Sequence, residues 1–345
     1  MVRLFFLLSG EHETLPYSEV KAILEAENQN FRVLEVLDQV LRLEADIESI
    51  NAIKFRAAYT KLCCLELAVC DTDLNQIIKT IRNIDLSNLL DEEETFAVRV
   101  KHVKNYAEEI SSTFLERILG GIILQEVEGT RVSLEKPDKT FIGILTGNKL
   151  LFGLKIAEIS PKSFTGRLPK NKPFVHPSTM TPKLARCMVN LSRAKAGSIV
   201  LDPFCGTGSI LIEAALIGCR ILGTDIQRIM VKGALRNFLY FGIDPEGVIV
   251  ADAKNLPIKS VDFVVADPPY GRSATTMKRT TKQIIEDTLK DLHPIIKSGG
   301  YVCMAAPKEI HASDIGRSTG YEHIESHFVY VHRSLTREIV VLRRK

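Results

Sequence analysis

A glycine-containing turn next to an acidic residue is the first part of the chain that could bind a small ligand. The segment DPFCGTG, residues 202–208, lies between an apolar strand-like run and a helical pattern. Gly206 and Gly208 would let the backbone approach a ligand closely, and the following helix would present free amide groups. Strand-to-helix turns also use glycine for structural reasons, so this segment alone leaves a plain turn open as an alternative.

Acidic residues end three successive predicted strands, which favours a binding site over a plain turn. Asp202 ends the strand SIVLD, Asp225 ends ILGTD, and Asp252 ends VIVAD. Asp202 would repel a pyrophosphate and attract an ammonium group, Asp225 could accept from ribose hydroxyls, and Asp252 could accept from an adenine amine. S-adenosylmethionine carries all of these groups, so the pattern predicts that it is the cofactor.

The tetrapeptide Asp267-Pro268-Pro269-Tyr270 at the end of the fourth predicted strand could bind a planar amine. Two prolines cannot continue a strand or begin an ordinary helix there, so they should fix a rigid loop. The Asp267 carboxylate and the Pro268 carbonyl would then be held as acceptors, and the Tyr270 ring would offer a face for stacking. These four residues are the predicted catalytic residues, with a structural proline turn as the alternative.

Regular alternation of strands and helices from His176 onward predicts how these loops come together. Helical patterns over residues 182–194, 210–217, 226–241 and 281–296 separate the strand-like runs. Such alternation predicts a doubly wound, mostly parallel α/β sheet. In such a sheet the carboxyl ends of the strands meet at one edge, where ligands bind.

The first half of the chain predicts an α+β arrangement without a catalytic motif. The opening VRLFFLL reads as an edge strand, and FRVLEVL, VLRLEA and TFAVRVKH also read as strands. Apolar spacing predicts helices over residues 59–69 and 106–119, the second of them ending at Gly120-Gly121. Residues 157–175 are rich in proline and basic residues and read as a connector.

Charge is distributed unevenly along the 345 residues. The net charge is +3, but residues 1–94 carry 9 basic and 18 acidic side chains, residues 95–175 carry 13 and 8, and residues 176–345 carry 23 and 16. The last two segments have balances of +5 and +7, which favours a polyanionic partner. Chance fluctuation on solvated surfaces is the alternative.

Composition excludes several classes of protein. No apolar run approaches the roughly 20 residues that span a bilayer, and the N terminus lacks a signal-peptide cleavage pattern, so we expect a cytoplasmic protein. Seven cysteines without a C-x-x-C pair do not support a zinc site, and we expect no metal. Cys64 and Cys70 could form a disulfide only in an oxidising or hyperthermophilic cytosol.

The motifs DPFCGTG, TD, ADA and DPPYGRS, in this order, resemble those of class I S-adenosylmethionine-dependent methyltransferases that act on exocyclic amines. HPSTMTPKLAR at residues 176–186 and VHRSLTR at residues 331–337 are similar to the archaeal tRNA guanine-10 methyltransferase family. FAVRVKH, GGIIL and VSLEKPDKTFIGIL are similar to the THUMP domain of that family. The resemblance implies transfer of one or two methyl groups to the N2 amine of guanine 10 of tRNA.

The resemblance also implies a domain organisation and partners. Residues 1–50 would form a ferredoxin-like domain, 51–154 a THUMP domain that binds the tRNA acceptor end, 155–175 a linker, and 176–345 a Rossmann-like methyltransferase domain with a seven-stranded sheet. The implied partner is tRNA. The enzyme would act on it either with a small activator subunit or as a monomer. Guanine 6 of tRNA, a DNA adenine and a protein glutamine remain as alternative targets.

The motifs and the resemblance together assign two sets of binding residues. The cofactor-binding residues are Thr179, Asp202, Phe204, Gly206, Gly208, Asp225, Asp252, Ala253 and Asp267. Basic residues in the THUMP-like part, the connector and the loop after Tyr270 are the predicted contacts to RNA phosphates. They are Arg99, Lys101, Lys104, Lys136, Lys139, Lys162, Arg167, Lys170, Lys172, Arg272, Lys278 and Arg279.

Overall fold

The computed structural model describes residues 1–270 and 279–345, which divide into two compact units. The first unit consists of residues 1–17, 29–54 and 60–160, and the second of residues 18–28, 55–59 and 161–345. Arg272 and Lys278, two of the predicted RNA contacts, lie outside the described residues. Within the described ranges, no helix is both long enough and apolar enough to cross a membrane.

One eight-stranded sheet forms the centre of the first unit. The elements of the first 160 residues, in chain order, are β1 (Val2–Leu8), α1 (Leu15–Ala26), β2 (Phe31–Leu37), β3 (Val40–Ala45), α2 (Ser49–Arg56), β4 (Thr60–Asp71), α3 (Leu74–Arg82), β5 (Thr95–His102), α4 (Ser112–Glu126), β6 (Arg131–Val132), β7 (Lys139–Thr146) and β8 (Lys149–Glu158). The strand order is β2-β3-β1-β4-β8-β7-β5-β6. Phe96, Phe141 and Phe152 are fully buried in the core beneath α3 and α4.

The N-terminal strand is an interior strand, so the prediction of an edge strand is wrong. β1 pairs with β3 on one side and with β4 on the other. Its apolar run from Leu4 to Leu8 is buried on both faces of the sheet, which an edge strand facing water would not require. Because β1 pairs with β4, one sheet contains strands from both sides of residue 50, the predicted boundary between the ferredoxin-like and THUMP domains. β8 extends to Glu158, so the predicted linker over residues 155–175 begins within a strand.

Of two helices predicted for the first half of the chain, one is wrong and the other has wrong bounds. The apolar run over residues 59–69 forms β4, because it pairs with β1 on one side and β8 on the other. The helix predicted over residues 106–119 begins instead at Ser112 and continues through Gly120 and Gly121 to Glu126. Burial of apolar residues on both sides of the glycine pair outweighs the low helix propensity of glycine.

All seven cysteines are free, including Cys64 and Cys70. Both of these residues lie on β4, six residues apart. An extended strand rises about 3.3 Å per residue, so their Cα atoms are about 20 Å apart. A disulfide requires Cα atoms no more than about 7 Å apart, so these two cysteines cannot bridge.

A seven-stranded sheet forms the centre of the second unit, as the alternation of strands and helices predicted. Its elements from residue 161 onward are α5 (Lys162–Thr165), η1 (Pro169–Asn171), α6 (Pro182–Leu191), β9 (Ile199–Asp202), α7 (Ser209–Leu216), β10 (Arg220–Asp225), α8 (Arg228–Tyr240), β11 (Gly247–Val250), β12 (Phe263–Ala266), α9 (Thr281–Ile295), β13 (Tyr301–Pro307), η2 (Lys308–Ile310), α10 (Ala312–Ser318), β14 (Tyr321–His332) and β15 (Leu335–Arg344). The strand order is β11-β10-β9-β12-β13-β15-β14.

The topology of this sheet determines where a ligand can bind. β9 to β13 run parallel to one another, and β15 runs antiparallel to both β13 and β14. The chain order reverses between β9 and β12, which is the switch point at which open α/β sheets bind ligands. The carboxyl ends of β9 to β12 meet there, and an antiparallel β15 brings its beginning to the same edge.

Candidate active site

A cavity of about 510 Å³ lies at the carboxyl edge of the second unit's sheet. The loops after β9, β10, β11 and β12 line it together with residues 176–180. The predicted site residues that line it are Thr179, Asp202, Phe204, Gly206, Asp225, Asp252, Ala253, Asp267, Pro268, Pro269 and Tyr270. All of the predicted cofactor-binding and catalytic residues except Gly208 therefore lie in the lining of one cavity.

The two glycines of the loop after β9 have different roles. Gly206 lines the cavity with φ = +50°, and its N–H donates to Asp225 Oδ2 at 3.0 Å. Gly208 does not line the cavity. It precedes α7 with φ = +80°, and a Cβ there would lie 2.7 Å from the Phe238 ring. Gly208 therefore serves close packing of α7 against α8, and its contact with the cofactor stays a prediction.

Asp202 and Asp225 are acidic residues held by backbone amides at the cavity wall. Asp202 is 1% exposed and accepts from the Phe204 N–H at 2.9 Å. Asp225 accepts from the Gln227 N–H at 2.9 Å as well as from Gly206. Burial raises the pKa of both carboxyls, and the charges of Asp267 and Asp225 add to the increase in the pKa of Asp202. A cationic ligand would be stabilised here.

Asp252 already has partners on both carboxylate oxygens. Its Oδ2 accepts from Arg279 Nη2 at 2.7 Å, and its Oδ1 accepts from the Lys254 N–H at 3.1 Å. Each carboxylate oxygen has a second lone pair, so Asp252 retains the capacity to accept from an adenine amine. Arg279 lines the same cavity beside Asp252.

The Asp267–Tyr270 tetrapeptide presents a buried acceptor to the cavity. Asp267 Oδ1 is buried and has no hydrogen-bond partner among the residues that the structure describes. Burial raises the pKa of the Asp267 carboxyl, and the nearby Arg337 guanidinium, 3.8 Å from Oδ2, partly opposes this increase, as does the neighbouring Tyr270 hydroxyl. The Tyr270 ring lies beneath Arg337, whose guanidinium carbon is 5.4 Å from the ring centroid. A buried acceptor of this kind is suited to a ligand that donates hydrogen bonds.

Residues 176–180 fold over the glycine loop. The Thr179 N–H donates to the His176 carbonyl at 3.0 Å, and the His176 N–H donates to Thr179 Oγ1 at 3.2 Å. Thr179 Oγ1 also lies 3.3 Å from Thr207 Oγ1. This turn places Thr179 next to the loop after β9, where the resemblance implied that it would meet the cofactor.

Comparison with known proteins identifies the family of this chain. A family model described as "RMKL-like, methyltransferase domain" matches residues 169–338. A tRNA (guanine(10)-N2)-dimethyltransferase of Methanothermobacter thermautotrophicus is 36% identical over 99% of this chain and 100% of that protein. A protein of the same name from Pyrococcus abyssi is 34% identical over 95% of each chain. The chain belongs to this methyltransferase family.

Two further matches bear on the fold and on the alternatives. The crystal structure of TrmN from Thermus thermophilus covers 99% of the methyltransferase and 100% of its own chain, with a TM-score of 0.56 at 19% identity. The two proteins therefore share a fold. A second family model, described as "DNA methylase", matches residues 85–236 and so ends before Asp267.

Three of the predicted RNA contacts of the methyltransferase already have polar partners within the second unit. Lys172 is buried, its Nζ donates to Ser209 Oγ at 2.8 Å, and burial lowers its pKa to about 8. Arg167 pairs with the buried Glu213 at 2.5 Å. Arg279 pairs with Asp252 in the cavity. Lys162 and Lys170 of the same segment are exposed.

The predicted RNA contacts of the first unit differ in whether an acidic side chain already pairs with them. Lys104 pairs with Asp38 at 2.8 Å, and Lys139 pairs with Glu94 at 2.6 Å. Arg99 donates to the Leu134 carbonyl at 2.6 Å. Lys101 and Lys136 are exposed. The exposed pair retains more capacity to meet a phosphate than the two ion-paired lysines do.

Arg337 is a cavity-lining residue to which sequence reasoning assigned no role. It ends the motif VHRSLTR, which carried the family resemblance without a function. The signal that could have found it is topological. A closing strand antiparallel to its neighbours begins at the edge where the parallel strands end, so basic residues at its start point to the ligand site.

Proposed function

We propose that this enzyme transfers one methyl group and then a second from S-adenosylmethionine to the N2 amine of a guanine in tRNA, at position 10. Asp267 Oδ1, a buried atom of the cavity lining that has no hydrogen-bond partner among the described residues, is the observation that carries the proposal. An exocyclic amine donates hydrogen bonds, so this oxygen is a matching acceptor. The relatives named tRNA (guanine(10)-N2)-dimethyltransferase support the choice of target.

The residues of the cavity fit S-adenosylmethionine. Asp202, Asp225 and Asp267 make the cavity acidic, which suits a ligand with ammonium and sulfonium charges. Its volume of about 510 Å³ lies in the range of small-molecule sites. Asp225 would hold the ribose, Asp252 the adenine amine and Thr179 the methionine end. When bound, the cofactor supplies a methyl group on a positively charged sulfur.

The Asp267 loop would overcome the weak nucleophilicity of the guanine amine, whose lone pair is delocalised into the ring. Asp267 and the Pro268 carbonyl would each accept one amine hydrogen and so orient the lone pair. The carboxylate would stabilise the positive charge that develops on nitrogen, and it would take up the released proton. The raised pKa of Asp267 makes it a better proton acceptor than an exposed carboxylate. Tyr270 would stack on a base taken out of the helix.

Replacement of Asp267 tests this function. We expect Asp267→Ala to lower turnover by about 100-fold or more, because both orientation and proton acceptance are lost. Cofactor affinity, measured by calorimetry, should stay nearly unchanged. Asp262→Asn is a matched control, since Asp262 lies just before the same strand and accepts from the Ile199 N–H outside the cavity. Near-normal turnover of Asp267→Ala would contradict the assignment.

Mass spectrometry of tRNA methylated in vitro separates the alternative targets. It maps the nucleotide and counts the methyl groups, while DNA and protein substrates serve as comparisons. Methylation at guanine 6, or of DNA adenine or protein glutamine in preference to tRNA, would contradict the proposed target. The "DNA methylase" match does not favour DNA, because it ends before the Asp267 loop.

The partner and cellular site follow from the proposed substrate. The enzyme would act on tRNA in the cytoplasm. The small activator subunit stays a prediction, as does monomeric action. Turnover by the purified chain alone distinguishes them, because an enzyme that needs an activator should gain activity when cell extract of the source organism is added.

A further inference from the structure

Arg337 lies in the active-site cavity, and the mechanism proposed above does not use it. Its side chain is 16% exposed, and its Nη2 is 3.8 Å from Asp267 Oδ2. This distance gives electrostatic attraction without a well-formed hydrogen bond. The guanidinium lies over the Tyr270 ring, so a cation, a carboxylate and an aromatic face are adjacent in one wall of the cavity.

The fold fixes Arg337 in this position through β15. Arg337 is paired with Pro307 at the carboxyl end of β13 and with Val329 of β14. The next residue, Glu338, is buried and accepts from the Ala312 N–H at 2.9 Å and from Ser326 Oγ at 2.8 Å. Neighbouring residues of a strand face opposite sides, so anchoring Glu338 on one side directs Arg337 to the other.

The guanidinium of Arg337 has unused donor capacity. Its Nε is buried and has no hydrogen-bond partner in the described part of the chain. A buried donor without an acceptor is unfavourable, and the place of Arg337 in the cavity lining allows a ligand to supply the missing acceptor. Among the described residues, the cavity wall thus holds an unpartnered acceptor, Asp267 Oδ1, and an unpartnered donor, Arg337 Nε, on two side chains whose Oδ2 and Nη2 atoms are 3.8 Å apart.

We propose that Arg337 binds the O6 keto oxygen of the target guanine and thereby selects guanine. The inference rests on the proposed function. Guanine has a donor amine at C2 and an acceptor oxygen at C6 on one edge, which matches a carboxylate beside a guanidinium. Adenine has a donor amine at C6 and would leave Arg337 unpartnered. Arginine also donates to guanine O6 in the DNA major groove, where it bonds N7 as well.

A base analogue tests this inference on the full-length enzyme. Two tRNA transcripts would carry either guanine or 2-aminopurine at the methylated position. 2-Aminopurine keeps the C2 amine but lacks O6 and the N1 hydrogen. We expect the unaltered enzyme to methylate guanine about 100-fold faster or more, because buried polar groups reject an analogue that leaves them unpaired. Arg337→Met should reduce that ratio by about 10-fold or more.

Control variants separate base recognition from general damage. Arg343→Met removes another arginine of β15 that pairs with Glu322 at 3.1 Å outside the cavity, and it should keep the original ratio. Arg337→Lys should retain part of the ratio, since it keeps the charge but loses the planar donors. Cofactor affinity and thermal unfolding of each variant show whether it is folded.

The outcomes distinguish the inference from the function on which it rests. Loss of the guanine preference in Arg337→Met alone supports recognition of O6. An equal loss of rate on both transcripts, with the ratio unchanged, would show that Arg337 only positions Asp267 and would overturn the inference. Failure of the unaltered enzyme to methylate the guanine transcript would instead overturn the proposed function.

Discussion

We expect two single residues, Asp202 and Asp225, to make cofactor binding sensitive to pH. Burial raises the pKa of both carboxyls in the ligand-free protein, and a cation favours their deprotonated forms. Binding of S-adenosylmethionine should therefore release protons. Its affinity should increase as pH rises from the usual Asp range of about 4 through the raised pKa, by at most about tenfold per pH unit for one proton, and then level off.

Calorimetry over a pH series checks this prediction, with two controls. S-adenosylhomocysteine lacks the sulfonium charge and should depend less steeply on pH. Asp202→Asn keeps an oxygen for the Phe204 N–H but removes one titrating group, so it should flatten the dependence and weaken binding. A flat profile for S-adenosylmethionine in the unaltered protein, or an unchanged profile in the variant, would contradict the prediction.

Among the secondary-structure elements, helix α8 holds Phe174, which begins the segment that folds over the glycine loop. The Phe174 N–H donates to Asn237 Oδ1, and Asn237 Nδ2 donates to the carbonyls of Phe174 and Thr207, each at 2.9 Å. A Cβ on Gly233 would lie 2.0 Å from the Phe174 ring. Gly233→Ala should displace Phe174 and weaken cofactor binding by about tenfold, since strained packing costs about 1–3 kcal/mol.

The matched control for this prediction is Gly166→Ala. A Cβ at Gly166 meets no atom within 4 Å, and the backbone there has φ = −64°. This variant should bind the cofactor as the unaltered protein does. Unchanged cofactor affinity in Gly233→Ala would show that α8 does not control the position of residues 174–180.

Helix α4 contains two interior glycines, and one of them can be replaced with a gain in stability. A Cβ at Gly121 would meet no atom within 4 Å. We expect Gly121→Ala to raise the free energy of unfolding by about 0.5–1 kcal/mol, because alanine favours the helix and restricts the unfolded chain. Gly129→Ala should destabilise the same unit, since Gly129 has φ = +80°. Denaturant unfolding of both variants checks the two signs.

The fold of the second unit was predictable because its strands and helices follow regular periods and end in acids or glycines. The first unit was less predictable, since a short apolar run such as that of β4 fits a helix or a strand until its partners are known. Likewise, the glycine pair in α4 stops a helix by local propensity, and only tertiary burial of its neighbours overrides that propensity.

The candidate site was predictable where a residue's role depends on its place at a strand end, as for Asp202, Asp225 and Asp267. It was not predictable where the role depends on a distant partner. Lys172 and Arg167 are basic residues of a basic connector, yet Ser209 and Glu213 occupy them. Arg337 reaches the cavity only because β15 is antiparallel to β13.

The affinity of the whole molecule for tRNA should depend on a few exposed lysines more than on net charge. Lys101, Lys136 and Lys170 are exposed and belong to segments with a positive balance. Each phosphate contact contributes roughly 0.7–0.9 to the slope of log affinity against log salt. The triple Lys→Gln variant should therefore lower that slope by about 2–3 and weaken binding at low salt.

A second triple variant has the same change in charge at ion-paired positions. Lys104 pairs with Asp38, Lys139 with Glu94 and Lys290 with Glu286, so their charges are already compensated on the protein. Replacing these three with Gln should leave the slope nearly unchanged. Fluorescence anisotropy of labelled tRNA over a series of KCl concentrations measures both slopes. Equal reductions in the two variants would mean that total charge, and not the location of exposed lysines, governs the affinity for tRNA.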